Sequence, residues 1–168
     1  IVASWLMVGT TGEDNRFARA LDELRSWQPG QVTQTSIGLR LEFYRNSLKI
    51  VREHPFIGVG TGGFPKAYAD VVAGTAVNPT TNPHDEYLNI AIQLGMVGLL
   101  AMLYLFYCVW RLAPALPSSY EHPLARGLVI TFAIGCLFNS LLVDHTEGLL
   151  FAWATGLLFA TLRAPAES

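Results

Sequence analysis

The sequence predicts an all-α integral membrane protein, and three observations carry that prediction. Of 168 residues, 51% are hydrophobic and only 14% are charged, an apolar balance that an ordinary soluble domain does not show. From Tyr87 to Trp110 no Asp, Glu, Lys or Arg occurs, and a helix of about 20 such residues, rising ~1.5 Å each, crosses the ~30 Å hydrocarbon layer. Two further apolar runs follow, at about 127–143 and 148–162, while eight of the eleven basic residues precede the first run.

Taken in order, residues 1–9 ("IVASWLMVG") are too short to span a bilayer and lack the basic flank and cleavage pattern of a signal peptide. They read as the end of a truncated transmembrane helix, and the chain as the C-terminal part of a larger protein. Residues 10–86 form a polar excursion without repeats or low-complexity sequence. Two amphipathic helices are legible in it. The first, about 14–27, carries Phe17, Leu21 and Leu24 at helical spacing and stops at Pro29 and Gly30. The second, about 36–53, places Ile37, Leu41, Tyr44, Leu48 and Val51 on one face, with Arg40 and Arg45 flanking it and Pro55 enforcing its end.

A glycine-dense loop, "HPFIGVGTGGF", comes next, then a short helix near 65–73 and the turn cluster "AVNPTTNP". Asn82 and Pro83 suit the cap and first position of a helix starting at His84. Residues 87–163 are expected to hold three membrane segments, the last two short and joined in a hairpin, with 164–168 as a tail. Arg111, Arg126 and Arg163 bracket the connections after the first span, which the positive-inside tendency assigns to the cytoplasm. The 10–86 loop then faces the opposite, extracytoplasmic side.

Several chemistries are excluded. A net charge of -2, with acids and bases alternating in the first half, gives no basic surface for nucleic acid. Cys108 and Cys136 lie in apolar runs and form no CxxC pair, so they read as small membrane hydrophobes. Gly58, Gly60 and Gly63 fit GxGxxG, yet no strand, long following helix or acidic partner completes a nucleotide-binding unit.

Candidate site residues remain. His84 stands where water meets the start of an apolar helix; the helix dipole there disfavours the imidazolium while the neighbouring Asp85 and Glu86 favour it, and a neutral ring would be a base for an incoming hydroxyl. The alternative is a surface histidine at a helix cap. Arg40 offers a planar fork matched to phosphate oxygens, with a diphosphate as its natural ligand. Arg45 and Arg52 extend a positive patch over lipid head groups, or else form a solvated face paired with Glu42 and Glu53. Gly60 and Gly62 could line a substrate cavity or make a tight turn. Asp144, His145 and Glu147 could be metal ligands, acid-base groups or a polar turn.

The ordered set "GLRLEFYRNSLKIVREHPFIGVGTGGF", "NPHDEYLNIAIQLGMVGLL" and "FNSLLVDHTEGLLFAWATGLLFA" resembles the C-terminal part of the O-antigen ligase and polymerase family of bacterial polytopic membrane proteins. The resemblance runs from about Ser36 to the end. It implies a metal-independent, cofactor-free glycosyltransferase in the bacterial inner membrane, working on the outer face. Such proteins take a glycan from an undecaprenyl diphosphate carrier and join it to a hydroxyl of lipid A core, another glycan or a protein. The family's G-x-R stretch matches at Arg40 and its H-x-x-x-L helix at His84. By that likeness Arg40 grips the diphosphate, His84 serves the acceptor hydroxyl, and "HPFIGVG" is a structural landmark. The likeness also implies upstream helices and basic residues that this chain does not supply, so the piece alone is expected to be inactive.

Two rivals belong to other classes. A transporter piece would line a polar path with Asn89, Gln93 and Asn139, but its spans would carry intramembrane ionisable residues, which these lack. A non-catalytic assembly subunit would use the loop only for docking, and would tolerate loss of His84 and Arg40.

Overall fold

A computed structural model describes residues 18, 20–28, 35–160 and 162. Described residues are helical or irregular, with no strand among them. The expected stub at 1–9, the 164–168 tail and the start of the first amphipathic helix lie outside the described residues. What is described of that helix, α1 (20–26), leaves Leu21 and Leu24 37% and 47% exposed, so its apolar stripe is not covered.

Helix α2 (Ser36–Glu53) has the expected bounds. Thr35 caps it by accepting the Gly38 N–H at 3.2 Å, and His54, held by Pro55 behind it, ends it. Its buried face is not the apolar stripe read from the sequence. Gly38, Glu42, Asn46, Ser47 and Ile50 are buried, whereas Leu48 is 45% exposed. The reason is local: Asn46 Nδ2 donates to Glu42 Oε1 at 3.2 Å and lies 3.4 Å from the Tyr68 hydroxyl, so polar groups satisfy each other inside the contact. Helix α3 (Phe64–Val72), entered through Pro65, packs on α2 through Phe64, Tyr68 and Val72, with Ile50 and Ile92 completing the small core.

Helix α4 (Glu86–Leu112) begins two residues later than expected, with Asp85 as its cap and not Asn82. It is also broken. At Gly95 the backbone takes φ 64, ψ -158, outside the helical region. In an unbroken helix Met96 and Val97 would donate to the carbonyls of Ile92 and Gln93. Instead the loop after α2 intercepts both ends: Val59 and Gly60 N–H donate to Ile92 and Gln93 carbonyls at 2.8 and 2.9 Å, and Met96 and Val97 N–H donate to Pro55 and Phe56 carbonyls at 2.8 and 3.3 Å. Gln93 also accepts from Gly62 N–H and donates to Asn89. The glycine loop is therefore a splint across a helix break, while its Val59 and Gly63 also line an open cleft beside the end of α2.

A 3-10 turn (Ala113–Ala115) leads to α5 (Glu121–Gly135) and α6 (His145–Phe159), both shifted toward the N-terminus from their expected bounds. At 15 residues each they are about 22 Å long, short of the hydrocarbon thickness. Among the described residues Glu86–Ala115 is the one helical stretch long and apolar enough to cross a membrane. Helices α4, α5 and α6 share a core of Met102, Phe106, Val129, Phe132 and Phe151, with Phe151 packed edge-on against Phe106. Trp110 and the guanidinium of Arg126 meet at 5.1 Å at the far end. Residues 136–143, expected to continue α5, leave the helix and fold back over the start of α4, where the Cys136 carbonyl accepts the Glu86 N–H.

Candidate functional site

Three separate stretches meet at His84. From α2, Arg40, Phe43, Tyr44 and Ser47 fall at i, i+3, i+4 and i+7, a single helical face. Phe43 stacks on the His84 ring with centroids 6.0 Å apart and an interplanar angle of 28°. Tyr44 hydroxyl reaches toward the carbonyls of His84 and Leu137 at 3.5 and 3.3 Å. Phe43 continues edge-on to Tyr68 at 6.1 Å, so the imidazole rests on an aromatic chain rooted in the α2–α3 core.

The second stretch is the turn before α4. His84 has φ 55 and is the one non-glycine with positive φ among the described residues. Such a conformation costs a non-glycine roughly 1–2 kcal/mol, and here it is fixed by neighbours. Asn82 Oδ1 accepts the His84 N–H at 2.8 Å and the Ser140 hydroxyl at 2.8 Å. Strain held by its surroundings is a recurrent mark of functional positions. Because His84 precedes the cap, the helix amides are spoken for elsewhere: Asp85 carboxylate accepts from Leu88 N–H at 2.8 Å.

The third stretch is the α5–α6 connection. Glu86 anchors it, donating its N–H to the Cys136 carbonyl at 2.8 Å and accepting the Leu142 N–H on its fully buried carboxylate at 3.2 Å. That clamp puts Asn139 beside His84, with Asn139 Oδ1 3.4 Å from Nδ1, and Asp144 Oδ2 3.4 Å from Asn139 Nδ2. Ser140 was not singled out by the sequence, Tyr44 was read only as part of the apolar face of α2, and Asn139 only as part of a transporter's polar path.

Burial pushes the Tyr44 phenol up, Asp85 adds to the rise and Arg40 opposes it. Arg40 thus sits within electrostatic reach of the hydroxyl that touches the His84 backbone. It is exposed, and no carboxylate pairs with it among the described residues. Burial likewise lifts the Asp85 carboxyl above its ordinary range, against the pull of the Leu88 and Tyr87 amides.

The remaining expected residues lie elsewhere. Arg45 forms an ion pair with Glu42 at 3.0 Å on α2. Arg52, exposed in the last turn, is twelve residues from Arg40, roughly 18 Å along the axis. Gly60 and Gly62 are exposed, and their N–H groups serve the splint to Gln93. An open cleft of about 460 Å³ lies by Glu53, His54, Lys66 and Asp70, at the opposite end of α2 from His84. Asp144, His145 and Glu147 do not gather into a metal site: no group of three or more His, Cys, Asp or Glu side chains converges among the described residues.

An apolar broken helix, long enough to cross a membrane, is headed by a strained histidine and packed at its start against an amphipathic helix, an all-helical arrangement among the described residues. A family model described as O-antigen ligase matches residues 1–103, more than half of the chain, and the chain belongs to that family of membrane proteins. It is also 26% identical over 96 residues to a Haemophilus influenzae protein described as uncharacterized. The match covers 55% of this chain and 24% of that protein, so the chain spans well under two thirds of its relative's length.

Proposed function

We propose that the protein of which this chain forms part transfers a glycan from an undecaprenyl diphosphate carrier to an acceptor hydroxyl, in the building of cell-envelope polysaccharide. The observation that supports this reading most is the packing of Phe43 and Tyr44, one helical turn from Arg40 on α2, against His84. A cation for a diphosphate and a base for a hydroxyl stand at the head of an apolar helix, where a lipid-borne donor presents its head group. Family membership supports the same class of chemistry.

In this reading the acceptor oxygen attacks the anomeric carbon as the bond from that carbon to the diphosphate oxygen breaks, with inversion. The hydroxyl proton passes to His84, and Arg40 holds the negative charge that builds on the departing undecaprenyl diphosphate. The membrane runs around α4, with α5 and α6 completing a three-segment region and residues 10–86 on the extracytoplasmic side of the bacterial inner membrane. The acceptor is a hydroxyl of lipid A core, of a glycan or of a protein.

The test is transfer by the purified full-length protein from undecaprenyl diphosphate glycan. His84→Asn is the informative variant, because Asn tolerates a left-handed backbone and keeps the turn. Transfer is expected to fall on the order of 10² to 10⁴-fold at unchanged abundance, the usual weight of a general base. Arg40→Lys keeps the charge and loses the two-pronged geometry, and is expected to be costly too. Full activity in both variants would discard the mechanism and favour a docking role.

A further inference from the structure

We infer that Asn139, held by Asp144, is the positioning residue that fixes the His84 tautomer, leaving the Nε2 lone pair as the proton acceptor. The inference rests on the reading of His84 as the base, and adds to it a residue and a direction.

The chain of constraint begins at Asp144. A carboxylate only accepts hydrogen bonds, so the Asn139 group facing Asp144 Oδ2 at 3.4 Å must be the amide NH₂. The side-chain amide is planar, which turns its carbonyl oxygen to the other side, and there His84 Nδ1 lies at 3.4 Å. That oxygen has no hydrogen to give, so Nδ1 must supply it. Neutral imidazole has one N–H, hence Nε2 is left bare. Both contacts are long for hydrogen bonds, as catalytic contacts often are before substrate binds.

The amide is itself held in place. Asn139 N–H donates to the Gly135 carbonyl at 3.1 Å, and Ser140 beside it bonds Asn82, whose oxygen also holds the His84 N–H. The turn at Asn139 and Ser140 therefore meets the ring of His84 directly and its backbone through Asn82. Phe43 covers one ring face, and no hydrogen bond to Nε2 is made among the described residues. The charged and titratable groups of the elements that meet here are Arg40 and Tyr44 on α2, Asp85 and Glu86 at the start of α4, and Asp144 behind Asn139. None of the others bonds an imidazole nitrogen, so Asn139 is the contact that discriminates between the two.

An amide in this position orients the ring without the pull of a formal charge. Asn139→Asp is therefore expected to stabilise the imidazolium and move the acidic limb of the transfer profile to higher pH. Asn139→Ala is expected to lower kcat roughly 10 to 100-fold, the usual weight of a ligand-orienting partner, with KM for the donor little changed. Asp144→Asn lets the facing amide either donate or accept, and should release the constraint partially.

The deciding measurement is independent of turnover: nitrogen-15 NMR of histidine in the full-length protein in nanodiscs, with His84 assigned by its loss in His84→Asn. The Nδ1–H tautomer in the wild type, becoming a mixture in Asn139→Ala, is the expected result. A dominant Nε2–H tautomer, or no response to Asn139→Ala and Asn139→Asp, would overturn the inference. Should His84→Asn instead retain transfer while the tautomer responds as expected, the base reading fails and the positioning contact stands.

Discussion

At the scale of single residues, His84 is held by its neighbours more than by its own preference, and Asp85 shows how that hold depends on protonation. Asp85 caps α4 and carries a carboxyl that burial lifts above its ordinary range. A carboxyl with a raised folded pKa adds stability that is complete below its unfolded value and is lost as pH climbs through the folded one. Thermal stability of the wild type should thus decline as pH rises upward from the ordinary carboxylate range. Asp85→Asn keeps an accepting oxygen for Leu88 N–H and should flatten that decline, while Asp85→Ala should cost about 1 kcal/mol for the lost cap. Melting curves of the three proteins across pH 4 to 8 separate these outcomes. His84 and Arg40 were legible as candidates because each stands at a sequence landmark. Asn139 and Asp144 were not legible as partners, because fifty-five residues separate Asn139 from His84 and only the buried Glu86 clamp brings them together.

At the scale of elements, the extents of α2 and α3 could be read from caps and prolines, but the faces they bury could not. The burial of α2 is decided by Glu42, Asn46 and Tyr68 satisfying one another, a three-dimensional fact that apolar spacing does not record. The break in α4 was equally hidden, since Gly95 in an apolar run reads as tolerable within a helix. Its consequences can be tested. Gly58 and Gly95 have φ of 66 and 64, and a Cβ on either would fall on backbone of the other strand of the splint. Gly60 and Gly62 also have positive φ, but open space surrounds them. Alanine at Gly60 or Gly62 is expected to cost about 1–2 kcal/mol from the left-handed backbone alone. Alanine at Gly58 or Gly95 must in addition push the splint apart, and should cost clearly more, read as a lower melting temperature in detergent. Equal losses at all four positions would refute the splint.

At the scale of the whole molecule, the all-helical character followed from composition and from one long uncharged run, while the number and limits of crossings did not. Helix α5 ends early because residues 136–144 fold back over the start of α4, where the Cys136 carbonyl accepts the Glu86 N–H. If α4 crosses the bilayer, the turn after α3 and the connection before α5 lie on opposite sides. Single cysteines at the exposed positions Ala76 and Ser119, in a background lacking Cys108 and Cys136, should label with an impermeant thiol reagent from opposite faces. Labelling of both from one face would remove the span and the proposed outward site together.

The splint at Gly95 also has an electrostatic meaning. Where a helix is interrupted, its two halves present opposed partial charges, negative carbonyls from one end and positive amides from the other. Left bare in hydrocarbon these would attract water or require an ionised side chain to balance them. Here the peptide groups of residues 55–60 are laid against them as counter-dipoles, amides to carbonyls and carbonyls to amides. The chain can therefore bend its most apolar helix without a single formal charge between Tyr87 and Trp110, and the bend is neutralised by backbone alone.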